Sequence, residues 1–437
     1  MATDAGNPIP RFPAGFLWGV STSAHQIEGA ADEREASVWD VFTAEPGRVK
    51  DGSTAAVACD HYHRYREDVA LLAGLGVDAY RFSVSWPRVN SPGGLDFYDR
   101  LVDELCAAGV RPVPTLFHWD LPASLDWLER DTAARFADHV SVVAERLGDR
   151  ATKWITLNEP AEHTLLGHAL GAHAPGRQLL FDALPVAHHQ LLAHGLAVQA
   201  LRATGATDIG IANSHGPTWP ASAEPADQEA AGFYDLLLNR LFAEPILLGA
   251  YPEGIGELMP GDVSADLKVI SEPIDWYGVN YYAPTRVGAP QGTEIEFGGL
   301  TMPAELPFSV REIEDRPVTD FGWPVVPEGL TELLTTFRDR YGDRLPPVVI
   351  TENGCSYEGV DDQDRIAYLD GHVRALHAAL ESGVDVRGYF VWSLMDNFEW
   401  AEGYARRFGL VHVDYETQRR TPKASYHWFR DVLRAQR

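Results

Sequence analysis

Only three cysteines, Cys59, Cys106 and Cys355, occur in 437 residues. They are too few for a disulfide framework, and none forms a CxxC pair. A reducing compartment, the cytoplasm, is the expectation, with no cysteine-built metal centre. Cations are also scarce. Lys+Arg is 36 against 63 for Asp+Glu, a formal net charge of −27. Such a surface repels nucleic acid and anionic membrane, so neither is an expected partner, and a strongly anionic substrate would need a local basic pocket. No run approaches 18 apolar residues, so no membrane span is expected. The opening segment MATDAGNPIPRFP lacks the basic and apolar regions of a secretory signal. Low-complexity tracts, basic arms and long linkers are missing too.

Hydrophobic residues make up 45% and charged residues 23%, an ordinary globular balance that excludes disorder. Aromatics reach 11%, with 12 Trp and 16 Tyr. They serve core packing, or a site that stacks on sugar rings. Short apolar, β-branched or aromatic runs alternate with polar turns and helical patterns. That alternation predicts βα units around a parallel sheet. Eight strands are expected, at 16–21, 79–85, 111–117, 153–157, 209–213, 276–280, 348–351 and 388–393. Helical spacing fills 64–75, 96–108, 133–147, 184–204, 226–242, 329–341 and 364–382, with a further helix inside 415–436. In 364–382, Ile366, Leu369, Val373, Leu376 and Leu380 form one apolar stripe.

Eight strand–helix units are the arithmetic of an α/β fold of the (β/α)8 TIM barrel type. One catalytic domain over 1–437 is expected, with the barrel proper at about 12–435. An open doubly wound sheet would favour a Gly-rich phosphate turn after the first strand. The turn there reads STSAHQIEGA.

A barrel carries its chemistry at the C-terminal ends of its strands. Gln26 follows the first strand, and Arg81 lies in the second. His118 and Trp119 end the third, and Asn158 and Glu159 the fourth. Asn280 and Tyr282 end the sixth, Glu352 the seventh and Trp392 the eighth, before Glu399 and Trp400. A lone Glu after a strand is ordinarily a solvated loop residue. Glu159 and Glu352, ending strands nearly across the mouth and surrounded by amide, imidazole and indole groups, instead predict glycoside hydrolysis. One carboxyl protonates the departing oxygen while the other attacks or activates water. The charge of one raises the pKa of its neighbour, so the two divide the roles. Other candidates read as structural. His61 and His63 open a helix, where i and i+2 diverge. His188, His189 and His194 share a helix without an HExxH motif. Trp86, Trp154 and Trp276 are expected in strands, within the core. Cys355 is read as packing.

Nine strings in order carry a family resemblance: FLWGVSTSAHQIEG, CDHYHRY, RFSVSWPR, FHWDLP, TLNEP, GVNYY, ITENG, WSLMDNFEW and RFGLVHVD. From about Phe12 onward the chain resembles the β-glycosidases of glycoside hydrolase family 1. The resemblance implies Glu159 as general acid/base and Glu352 as nucleophile. It implies Asn158 at the sugar 2-hydroxyl, Gln26, His118, Glu399 and Trp400 at the other hydroxyls, and Trp392 beneath the ring. Arg81 and Tyr282 would hold Glu352 ionised, Asn280 would line the site, Trp119 would add a subsite contact, and Trp323 would wall the leaving-group side. No metal or cofactor is implied. The substrate is a small β-glycoside, and the reading is a retaining exo-β-glucosidase. Broader β-galactosidase or β-fucosidase activity, or a bulky-aglycone glucoside, stays open.

Rivals are weighed on the same residues. Glu399 and Trp400 argue against an endo-acting barrel, and Glu399 against a 6-phospho-glycosidase. A silent sugar-binding protein would lack one of the two glutamates. The segments after strands one, two and three look trimmed against the family, and Glu402 stands where it commonly has Tyr. All of these departures concern the mouth.

Overall fold

Each of the eight apolar runs forms a strand, and the eight close into one parallel barrel in this computed structural model, which describes residues 8–297 and 300–437. The first seven residues of the opening segment and of the 1–437 expectation lie outside the described residues. The strands are β1 (Leu17–Ser21), β2 (Ala79–Ser83), β3 (Arg111–Thr115), β4 (Trp154–Asn158), β5 (Ile209–Ser214), β6 (Trp276–Asn280), β7 (Val348–Asn353) and β8 (Val386–Trp392). Neighbours follow chain order, and β1 closes the ring against β8 with Ser21 opposite Trp392.

The barrel is filled, as a core and not a pore. Leu17, Ala79, Val113, Ile155, Ala212, Trp276, Val349 and Phe390, one from each strand, pack together inside it. Small residues make room for large ones. A Cβ on Gly210 would lie 2.5 Å from the Trp276 ring. Side chains alternate along a strand, so Arg81 shares the inward face with Ala79, one layer nearer the mouth. That register puts a guanidinium, 1% exposed, beneath the catalytic rim.

Two expectations are corrected. Residue 86 is not in a strand. β2 ends at Ser83, and Trp86 opens the short helix Trp86–Val89, because Pro87 suits a first helical turn and not a central strand. The helix expected at 226–242 is broken into Pro225–Asp235, a π turn at Leu236–Arg240, and Leu241–Leu248. Pro245 lies inside the last, and its missing N–H and ring disturb the preceding turn. The 415–436 region gives one helix, Ala424–Gln436, after a hairpin of Val411–Asp414 and Arg419–Pro422.

Loops build the rim. After β1, Ser37 caps helix Val38–Thr43 in a reciprocal box with Asp40. That loop is stitched to the one after β3 through Val38 N–H to Leu121 O (2.8 Å) and Ala123 N–H to Ala36 O (2.9 Å). It also reaches the segment after β8, where Lys50 Nζ lies 2.5 Å from Glu402 Oε1. On the other side, Thr218–Pro220, Thr285–Gly288 and Ser309–Arg311 form a small sheet. Val287, Met302 and Phe308 pack there with Ala230 and Ala231, and Leu170 and Leu180 lie against them.

Candidate active site

Glu352 sits where β7 slips register against β6, so that it pairs with Asn280. Such an irregularity re-aims a side chain at a sheet end. Arg81 Nη1 donates to Glu352 Oε1 at 2.7 Å, and Tyr282 Oη donates to Oε2 at 2.7 Å. Arg81 is itself held on every side. Its Nε donates to Thr115 Oγ1 (3.1 Å), Nη1 also to Thr351 O (2.9 Å), and Nη2 to Asn158 Oδ1 (2.6 Å).

Glu159 leaves β4 in the left-handed region, φ 46°, and Pro160 begins a helical turn directly after it. A non-glycine residue there costs on the order of 1 kcal/mol, a strain typical of functional positions. Its N–H is anchored on Ala212 O at 2.7 Å. Its carboxyl receives only amides: Asn280 Nδ2 at 2.9 Å and Asn158 Nδ2 at 3.3 Å.

The two carboxyls are therefore unequal. Burial raises both pKa values. For Glu352, the Arg81 guanidinium and the Tyr282 hydroxyl pull back toward the ionised form. For Glu159, the charge of Glu352 adds to burial, Glu162 adds more, and the pKa stands well above the carboxylate range. One group is equipped to be an anion and the other to keep a proton.

A pocket lies beside them. Gln26 Nε2 donates to Asn397 Oδ1 and Phe398 O, both at 3.0 Å, and to Glu399 Oε2 at 3.3 Å. Burial, then the charges of Glu352 and Glu402, push Glu399 up to about 8. His118 Nε2 pairs with Asn158 Nδ2 at 3.1 Å, and its ring stacks on Trp392 at 5.7 Å. Burial and Arg81 hold His118 neutral, well below the usual imidazole range. Trp400, left-handed at φ 49°, stacks on His25 and packs against Trp39 (4.5 Å) and Trp119 (4.7 Å). Trp119 donates its indole N–H to Asn158 O at 3.0 Å, which ties it to the wall behind Asn158. Trp323 meets Tyr282 edge-on at 5.2 Å and stacks on Phe321 at 4.3 Å, forming an aromatic wall on the β6 side.

All thirteen residues named for the site from sequence gather at this one rim. Sequence reasoning missed Thr115 and Thr351, which orient Arg81, and Glu162, whose carboxyl accepts from Ser214 Oγ at 3.1 Å. The spacing of Glu162, three residues past Glu159, was the available signal. The histidines read as structural from sequence have structural bonds. His61 pairs with Asp68 (2.8 Å), His188 with Asp266 (2.9 Å) and Tyr251 (2.7 Å), and His194 with Thr156 (2.7 Å). Cys355 is fully buried. Among the described residues, no helix is long and apolar enough to cross a membrane, and no group of three His, Cys, Asp or Glu could hold a metal ion.

A closed parallel barrel with one cation-held carboxyl and one proton-keeping carboxyl, beside a hydroxyl-binding pocket, defines a glycoside hydrolase. Residues 9–437 match Glycosyl hydrolase family 1, and the chain belongs to that family. It is 45% identical to thermostable beta-glucosidase B of Thermobispora bispora, over 99% of this chain and 92% of that protein. Among solved structures, a psychrophilic beta-glucosidase of Micrococcus antarcticus superposes with a TM-score of 0.93 at 44% identity, covering 99% of this chain and 100% of that one. A family 1 β-glucosidase of Thermotoga maritima gives 0.91 at 42%, covering 98% and 99%.

Proposed function

We propose that this protein is a retaining exo-β-glucosidase that removes terminal non-reducing β-D-glucosyl residues by double displacement. The observation that carries the reading is the inequality of the two carboxyls. Glu352 attacks the anomeric carbon. The glycosidic C–O bond breaks, Glu159 gives its proton to the leaving oxygen, and a glucosyl ester of Glu352 remains. With that charge consumed, Glu159 stays ionised, takes a proton from water, and the hydroxyl displaces Glu352 with a second inversion. Nucleophile and acid both come from the chain, so the reading needs no metal or cofactor.

Gln26, His118, Glu399 and Trp400 grip the hydroxyls, Asn158 meets the 2-hydroxyl, Asn280 steadies Glu159, and Trp392 supports the apolar ring face. Trp119 buttresses Trp400, and Trp323 walls the leaving-group side. Glucose is the preferred sugar because relatives at 41–45% identity are named β-glucosidases. A relative from Bifidobacterium breve, 42% identical, is named as a bifunctional β-D-glucosidase/β-D-fucosidase, which favours fucosides as a second substrate. The chain works as one catalytic barrel over 1–437. Its three cysteines are unpaired, which suits the cytoplasm.

The trimmed loops after β1, β2 and β3 leave the leaving-group side open. The segment 287–318, whose residues 298–299 lie outside the described residues, packs instead against helix Pro225–Asp235. Bulky aryl β-glucosides therefore outrun cellobiose in kcat/KM, because a small disaccharide finds little remote binding energy. The test is kcat/KM for p-nitrophenyl β-glucoside, β-galactoside and β-fucoside, with cellobiose beside a large aryl glucoside of similar leaving-group pKa. A galactoside optimum would overturn the sugar assignment, and a cellobiose preference would overturn the open mouth.

A further inference from the structure

Glu162 has no role in the double displacement, yet its carboxyl lies close to that of Glu159, the group that protonates the leaving oxygen. It closes the helical turn that begins at Glu159. The two carboxyls are near enough that the charge of Glu162 helps to raise the Glu159 pKa. Its one bond comes from Ser214, the last residue of β5. The rim it occupies, between β4 and β5, is remote from Gln26, Glu399 and Trp400, which follow β1 and β8. Glu159 delivers its proton to the glycosidic oxygen. Whatever is attached beyond that oxygen, away from the gripped sugar, extends toward this rim.

The second observation is the missing counter-charge. Among the described residues no Arg, Lys or His pairs with Glu162, and only burial and the Ser214 hydroxyl shift it. The side chain is half-buried. Its Oε1 is held by Ser214, so one oxygen is oriented while the other takes no bond inside the protein. A half-buried carboxyl without a cation carries an uncompensated desolvation cost, which a bound cation would offset. Tyr234, whose pKa Glu162 helps to raise, and Glu159 are the titratable groups beside it, and neither supplies positive charge.

We infer that Glu162 is a specificity-determining residue that selects β-glucosides whose leaving group carries a protonated primary amine. An amino sugar or an aminomethyl aryl group has the required chemistry. The ammonium donates to the free oxygen of Glu162 with full charge assistance, whereas a hydroxyl in its place makes a weaker bond. The net charge of −27 draws the same class of substrate toward the mouth. This rests on the β-glucosidase reading above.

The test compares 4-(aminomethyl)phenyl and 4-(hydroxymethyl)phenyl β-D-glucoside, for the wild type and Glu162→Gln. Glutamine keeps an acceptor for Ser214 while removing the charge. The ratio of the two kcat/KM values cancels general damage to the enzyme. It should be about tenfold higher in the wild type than in Glu162→Gln, the scale of one charge-assisted bond. An equal ratio in both proteins overturns the inference. Salt supplies a second measurement that needs no variant. The wild-type preference for the amine should shrink between low and high ionic strength, and a salt-independent ratio overturns the inference as well. If the wild type hydrolyses neither aryl glucoside, the β-glucosidase reading itself fails.

Discussion

Replacing Tyr282 with Phe isolates the device that keeps Glu352 an anion. The hydroxyl donates to Glu352 Oε2 at 2.7 Å, while Arg81 separately holds Oε1. The ring packs on Trp323 and Phe408, contacts that phenylalanine keeps. The substitution therefore removes one buried bond to an ionised carboxylate and little else. Such bonds are worth about 1.5–3 kcal/mol. One pKa unit corresponds to about 1.4 kcal/mol, so the Glu352 pKa should rise by about one to two units. Its ionised form is the nucleophile, so activity is lost as pH falls through that pKa. The acidic limb of kcat/KM against pH should accordingly move up by about one to two units. The alkaline limb, set by the proton on Glu159, should stay in place. The assay is the pH profile of p-nitrophenyl β-glucoside hydrolysis for both enzymes. An unmoved acidic limb would refute the role of Tyr282, and a moved alkaline limb would refute the division of labour between the carboxyls.

Glu159→Ala removes the proton donor, so alkyl glucosides should lose about 10²–10⁴-fold more first-step rate than activated aryl glucosides, read as kcat/KM across a leaving-group series. Glu352→Ala should abolish turnover of all of them alike, and identical profiles for the two variants would contradict the roles. Burial, reinforced by the charge of Glu28, pushes Asp120 up to about 8. A folded-state pKa raised above the unfolded value near 3.9 contributes stability that is fully present below about pH 4 and lost as pH rises through about 8. Asp120→Asn cannot ionise, so its unfolding free energy relative to wild type should improve steadily from pH 4 to pH 8 in urea titrations, and a constant difference would contradict the burial of a titrating carboxyl.

The barrel was legible because its strands are buried on both faces and read as continuous apolar runs. β6 appears with its expected ends, and the others shift by one or two residues at an end. The failures lie where a single proline outweighs the pattern, Pro87 at the end of β2 and Pro245 in the broken helix. The small sheet beside the mouth has strands of three and four residues, too short for any periodicity to show. Site residues were legible where a polar or aromatic group directly follows an apolar strand, as at Glu159 and Glu352. Thr115, Thr351 and Glu162 were not. Their importance comes from partners 34, 270 and 52 positions away in the chain. Arg81 needs two oxygens from two other strands to be aimed, and a linear reading shows only the arginine.

The configuration of the first-formed sugar tests the central claim most directly. If Glu352 attacks and water later displaces it, the two inversions return the β anomer, and proton NMR in the first minutes of turnover should show β-glucose before mutarotation produces the α form. An initial α-glucose signal would mean a single displacement by water, and would contradict the role of Glu352 as nucleophile.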